Sequence, residues 1–251
     1  MPYFKNYKGD KIAYKILKGK SPGLIFVHGF TSDMETDKAL EIERYAKKNK
    51  LNFIKFDLRG HGKSSGEIND YYISDWKRDL VDIIDNFSKG PQIIVGHSLG
   101  GYLMFLAAQL RKKRVAGLVG LATTAELYKL HISSYTEKQL QKLKKNGYVK
   151  IKNKDGREFI FTKKGVQDIK NNEFINKNYK FNKPLTLIHG TNDEVIPYQS
   201  VLNILKKIKG DDHNIILMKN SDHSLSQERD KKKYIQSIDN IVKKSNSLFF
   251  F

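Results

Sequence analysis

The stretch "GPQIIVGHSLGGYLMFLAA", Gly90 to Ala108, constrains this chain more than any other. An apolar strand pattern, Gln92 to Val95, runs into a helical one with only Gly96-His97-Ser98-Leu99-Gly100-Gly101 between them. So tight a corner can cradle a phosphate on backbone N–H groups, relieve crowding around a nucleophile, or serve as an ordinary Gly/Ser turn. The remaining residues discriminate among the three.

Apolar runs bounded by turn residues alternate with longer amphipathic stretches along the chain, which is the pattern of a parallel sheet covered by helices on both faces. Strands are expected at Ile12 to Leu17, Leu24 to Val27, Asn52 to Phe56, Gln92 to Val95, Val115 to Leu121, Leu185 to Ile188 and Asn214 to Met218. Helical spacing marks Lys38 to Lys48, Ser74 to Phe87, Gly101 to Leu110, Gln199 to Ile208 and Lys232 to Lys244. The expected fold class is therefore α/β, with six strands in a mostly parallel sheet and the first strand antiparallel at one edge. The 251 residues suit a single domain. Residues 124–183 interrupt the rhythm with about 60 residues where one crossover needs far fewer, and read as a small cap insertion. Within it, Thr136 and Gln139 make a capping box for a helix ending near Asn146-Gly147. A hairpin turning at Asp155-Gly156 and a short helix from Lys163 follow. The terminal "SLFFF" reads as a frayed or packed tail.

The chain has no cysteine, which removes thiolate catalysis, disulfides and Cys-based zinc sites. Its formal net charge of +19 invites a nucleic-acid reading, but the excess is mostly lysine spread along the chain and reads as a compositional bias. The clusters Arg111 to Arg114 and Asp230 to Tyr234 are placed at helix ends, where cations suit the macrodipole. No apolar run approaches the ~20 residues needed to cross a bilayer, and the N-terminal residues do not read as a targeting segment. The expectations are a soluble, cytoplasmic monomer with no nucleic-acid partner and no stable membrane insertion.

Ser98 sits in G-x-S-x-G after a strand and before a helix, the context that exposes a serine hydroxyl on a strained corner. A nucleophilic serine needs a base and an acid to orient that base. "PLTLIHGTNDEVIP" places Asp193 just after one strand, and "NIILMKNSDHSL" places His223 just after the next. Glu194 and Asp222 are the neighbouring carboxylates that fit their strand-end position less well. The backbone N–H groups of Leu99 and, from "LIFVHGFTSDM", Phe30 are the candidate oxyanion donors. His28, His61, His97 and His189 read as structural polar residues near the site, and His131 and His213 as surface residues. No G-x-x-x-x-G-K-[ST], no G-x-G-x-x-G near the first βα turn and no metal-ligand cluster occurs, so neither a cofactor nor a metal is expected.

"HGF", "FDLRGHGKSSG", "GHSLGG", "HGTNDEVIP" and "SDH" occur in an order that resembles the α/β-hydrolase family along nearly the whole chain. Within it, "SDWKRDLVDIIDNFSKGPQIIVGHSLGGYLM" and "VAGLVGLATTAE" are similar to the mitochondrial α/β-hydrolase-domain group, which cleaves palmitoyl-protein thioesters and acyl glucuronides. The resemblance implies a serine thioesterase or esterase with Ser98, Asp193 and His223 as its triad. It also implies that Asp57 to Ser64 form a structural loop, leaving Arg59 and His61 without a catalytic role. Pocket walls are expected from Phe30, Met34, Leu99, Tyr102, Leu127 and Leu130, with Tyr128 and Ile132 as cap packing. A small-molecule carboxylesterase, a C–C bond hydrolase and a catalytically silent binding protein are the competing readings.

Overall fold

The apolar runs form strands because both of their faces are buried: Ile25 and Val27 enter one core while Leu24 and Phe26 enter the other. A computed structural model describes residues 1–152, 156–174 and 179–247. In chain order the elements are β1 (Tyr3–Lys5), β2 (Lys11–Leu17), β3 (Lys20–Val27), α1 (Asp37–Lys48), β4 (Leu51–Phe56), α2 (Ile73–Phe87), β5 (Gln92–His97), α3 (Leu99–Leu110), β6 (Val115–Leu121), α4 (Leu127–Ser133), α5 (Glu137–Asn146), β7 (Tyr148–Lys152), β8 (Glu158–Thr162), α6 (Lys163–Asn171), β9 (Leu185–Gly190), α7 (Gln199–Lys207), β10 (His213–Met218) and α8 (Glu228–Ser247).

The main sheet has the order β1-β2-β4-β3-β5-β6-β9-β10. From β4 to β10 all neighbours are parallel, and β2 lies antiparallel on β4. The six parallel strands are those expected from sequence. The edge differs, because β1 pairs antiparallel outside β2 and takes the place expected for Ile12 to Leu17. Three residues with no buried position carry too little alternation to announce a strand. On one face α2, α3 and α7 pack Trp76, Leu80, Phe105 and Ile204 against the sheet. On the other, α1 and α8 contribute Ala39, Ile42, Tyr234 and Ile238. Helix α3 is buried from Leu99 to Ala108, which is why its sequence has no polar face.

The insertion between β6 and β9 has its own small core of Tyr135, Leu143 and Val149. Thr136 and Gln139 form the reciprocal cap of α5, and Gly147 ends the helix at φ 83°. The β7–β8 hairpin runs in register from Tyr148 opposite Thr162 to Lys152 opposite Glu158. Asp155 of its expected turn and the last four residues of "SLFFF" lie outside the described residues. Helix α4 is an element the sequence pattern did not separate from loop. Asp230 to Tyr234 lie in the first turns of α8, the end where the dipole favours anions rather than cations, and Lys231 there pairs with Glu228 at 2.7 Å. Among the described residues no helix is long and apolar enough to cross a membrane.

Candidate active site

Strand β5 ends at His97 and α3 begins at Leu99, so Ser98 alone makes the corner, at φ 52° and ψ −117°. A left-handed φ on a residue with a Cβ costs about 1–3 kcal/mol and persists only when its surroundings fix it. Here the Ser98 N–H donates to the Leu121 carbonyl at 2.8 Å, and the Ser98 carbonyl accepts from the N–H groups of Gly101 and Tyr102 and from Thr123 Oγ1. A methyl group on Gly96 would collide with the Gly100 carbonyl, and one on Gly100 with the Val27 carbonyl. The flanking glycines therefore let the helix start press against β5 and the end of β3.

His223 follows β10 and Asp193 follows β9, and the parallel sheet brings both loops to the Ser98 corner. His223 Nε2 lies 3.0 Å from Ser98 Oγ, and Nδ1 lies 2.8 Å from Asp193 Oδ2. The Asp193 side chain is fully buried, and its Oδ1 accepts from the N–H groups of Val195 and Ile196 at 2.9 and 2.8 Å. His189 Nε2 donates to the Ile196 carbonyl at 2.8 Å and lies 3.0 Å from Asp193 Oδ2. Burial pushes the Asp193 carboxyl up, but His189, His223 and the Ile196 N–H together hold it well below the usual carboxylate range. An ionised Asp193 can only accept, so His223 Nδ1 carries a proton and Nε2 presents a lone pair to the serine. His97 Nε2 donates to the His223 carbonyl at 3.0 Å. Burial, with the charges of Lys38 and His223, pushes His97 far down and keeps it neutral. Asp222 is taken up by the Ser224 N–H and hydroxyl.

The loop after β3 touches the corner so closely that a Cβ on Gly29 would lie 3.2 Å from the Ser98 Cβ. Among the described residues neither the Phe30 nor the Leu99 N–H donates to a protein acceptor. His28 is held inside this loop, donating from Nδ1 to the Gly29 carbonyl and accepting the Leu58 N–H at Nε2. Arg59 is wholly buried on Asp79.

Ser98 opens into a cavity of about 330 Å³, within the range of small-molecule sites. Phe30, Leu99, Tyr102, Leu127 and Leu130 line it as expected from sequence. Met34 does not: it is fully buried behind the loop, with its N–H on Asp57 Oδ1 at 2.7 Å. His131 is likewise no surface residue, because α4 folds over the site and turns its ring into the cavity wall, where burial pushes it down to about 4. His213 is half-buried at the head of β10, bonded to the Phe181 carbonyl. Sequence reasoning missed Tyr72, Trp76, Phe159, Phe161, Ile169 and Val195. The i, i+4 spacing of Tyr72 and Trp76 was a usable signal; the inward face of the hairpin was not.

Most polar side chains of the wall already have a protein partner. Tyr72 bonds Thr162, Tyr71 bonds Asp10, Asn69 takes the Ile160 N–H, Thr124 takes the Glu126 N–H, Ser134 bonds the His131 carbonyl and His131 Nε2 meets the Tyr135 hydroxyl. A ligand thus meets a largely apolar wall with the Ser98 hydroxyl at one end. Among the described residues no group of three or more His, Asp or Glu is placed to hold a metal ion.

The alpha/beta hydrolase fold family matches residues 22–131. The chain is 32% identical over 239 residues to the mitochondrial palmitoyl-protein thioesterase ABHD10 of Bos taurus, covering 94% of this chain and 78% of the relative. It is 31% identical to the Homo sapiens protein of the same name over the same shares. The structure of mouse alpha/beta hydrolase domain-containing protein 10 superposes with a TM-score of 0.89 at 31% identity, over 97% of this chain and 98% of that one. Est1E of Butyrivibrio proteoclasticus, solved with ferulic acid, shares the fold at a TM-score of 0.76 and 21% identity, over 95% and 99% of the two chains. The relatives' names overturn the cytoplasmic expectation, since they are mitochondrial proteins. That expectation was read from the N-terminal residues and the short apolar runs, and neither feature reports which receptor-read address a protein carries.

Proposed function

The chain belongs to the α/β-hydrolase family and is a serine hydrolase of acyl thioesters and carboxylic esters; on that premise we propose that Ser98, His223 and Asp193 are its catalytic triad, that residues 124–183 are its cap, and that long-chain S-acyl groups of the palmitoyl kind are its substrates. His223 Nε2 takes the serine proton as Oγ attacks the acyl carbonyl, and Asp193 steadies the imidazolium that forms. The N–H groups of Phe30 and Leu99 receive the oxyanion. His223 returns the proton to the departing thiol, then activates water to release the acid and restore the serine.

The observation that carries the acyl reading is the wall of the cavity, where most polar side chains bond protein partners and the exposed surface is largely apolar. A hydrocarbon chain gains about 0.8 kcal/mol per buried methylene, or roughly fourfold in kcat/KM per methylene until the cavity is full. A diketone or sugar would need free hydrogen-bonding partners along that wall. The test is a chain-length series of acyl thioesters, each paired with its oxygen ester, on wild type and Ser98→Ala. The expected result is kcat/KM rising with chain length on thioesters and falling by several orders of magnitude in Ser98→Ala. Preference for short oxygen esters would make the protein a small-molecule carboxylesterase, and full activity in Ser98→Ala would remove the triad assignment.

A further inference from the structure

The net charge of +19 is not spread evenly. The described residues of 137–164 carry nine Lys and Arg against two Asp and Glu, a net of +7 on about a tenth of the chain. They form α5, the β7–β8 hairpin and the start of α6, and β8 walls the cavity with Phe159 and Phe161. Lys138, Lys142, Lys144, Lys145, Lys150 and Lys152 are all exposed. Antiparallel pairing sets Lys150 opposite Ile160, so these side chains share the outer face of the ribbon with Tyr148, while Val149 and Phe159 are buried on the other. Apolar groups stand among the cations on this surface: Leu140 is 36%, Tyr148 44% and Ile160 37% exposed. Ile160 and the 56% exposed Val195 also line the cavity, which places its opening beside the basic face.

We propose that this roof docks the protein on an anionic lipid surface, with the cavity opening turned toward the leaflet. Lysines attract anionic headgroups from within a Debye length, and the exposed Leu140, Tyr148 and Ile160 supply apolar contacts at headgroup depth. The mixture favours lipid over a nucleic acid or an acidic protein, whose anions would leave those three side chains without a partner. The inference rests on the acyl-hydrolase reading for what the docked cavity receives, and on the charge and exposed apolar groups of the roof for the docking.

The experiment uses the full chain and measures co-sedimentation with vesicles of phosphatidylcholine alone and of phosphatidylcholine mixed with phosphatidylglycerol. Reversal of three roof lysines, Lys142→Glu, Lys145→Glu and Lys152→Glu, is compared with reversal of Lys48, Lys112 and Lys113. All three are exposed, Lys48 at the C-terminal end of α1 and Lys112 and Lys113 in the 3-10 turn that follows α3. Binding is expected only to phosphatidylglycerol vesicles, falling on the order of a hundredfold in the roof variant, little in the other, and with added salt. Equal losses in both variants would show that total charge rather than the roof binds. Equal binding to phosphatidylcholine, or retention by an acidic protein in place of vesicles, would also overturn the proposal. Hydrolysis of a short, water-soluble thioester is read in parallel: the roof variant should keep it, and its absence from wild type would fail the hydrolase reading without touching the docking result.

Discussion

Replacing Asp193 by Asn exchanges one oxygen for an NH2 group with almost no change in volume, and the structure dictates which way the amide turns. Oδ1 accepts from the N–H groups of Val195 and Ile196, so an NH2 placed there would face two donors. The amide oxygen must keep that position, which turns the NH2 toward His223 Nδ1 and His189 Nε2. His223 then accepts at Nδ1 and carries its proton on Nε2, so it donates to Ser98 Oγ instead of taking its proton. The same substitution in Ser-His-Asp hydrolases lowers kcat by about 10⁴, or about 5.4 kcal/mol of transition-state stabilisation. Stability should fall less, by about 1–3 kcal/mol, because His189 keeps its bond to the Ile196 carbonyl. The assay is kcat/KM on the preferred thioester together with the urea midpoint. An Asp193→Asn protein that stays folded and within tenfold of wild-type turnover would refute both the amide orientation and the role given to the carboxylate.

Gly100→Ala drives a methyl group into the Val27 carbonyl and should cost about 1–3 kcal/mol in urea unfolding while lowering kcat more than it raises KM, since the neighbouring Leu99 N–H moves with it. An unchanged midpoint would show that the corner has slack. Burial pushes His28, His61 and His131 down from 6.5 to about 4, with the facing His28 adding to the effect at His61. Folded-state values below the unfolded ones mean that this stability is complete above pH 6.5 and is lost as pH falls toward 4, at up to about 1.4 kcal/mol per pH unit for each histidine. Urea midpoints taken at descending pH across that window should fall steadily, and a flat profile would place these rings in contact with water.

The parallel core was legible because buried strands need continuous apolar runs, and "LIFV", "QIIV" and "LTLI" have no other economical use. Ser98, Asp193 and His223 were legible as strand-end residues, because a doubly wound sheet has one edge where loops converge. The wall of the cavity was read only in part. Met34 failed because an apolar residue in a site loop can turn inward as easily as toward a ligand, and here Asp57 holds its N–H inward. His131 failed because its exposure depends on where α4 comes to rest over the sheet, which no local pattern encodes. Phe159 and Phe161 have different fates on one short strand, the first deep in the wall and the second shared with the small core of the insertion, and alternation alone could not separate them.

The bond from His97 to the His223 carbonyl has a mechanical consequence. His97 is joined to Ser98 through one peptide, whereas His223 hangs from β10, an edge strand with a single neighbour, three places from β5 with β6 and β9 between. Breathing of that edge would by itself vary the distance between His223 Nε2 and Ser98 Oγ. With the imidazole of His97 acting as a clasp, a sway of the outer loop draws the serine corner with it, and the clearance between base and hydroxyl is set locally instead of by the frame of the sheet. The spacing at the centre is thereby tied to a local contact while the periphery moves.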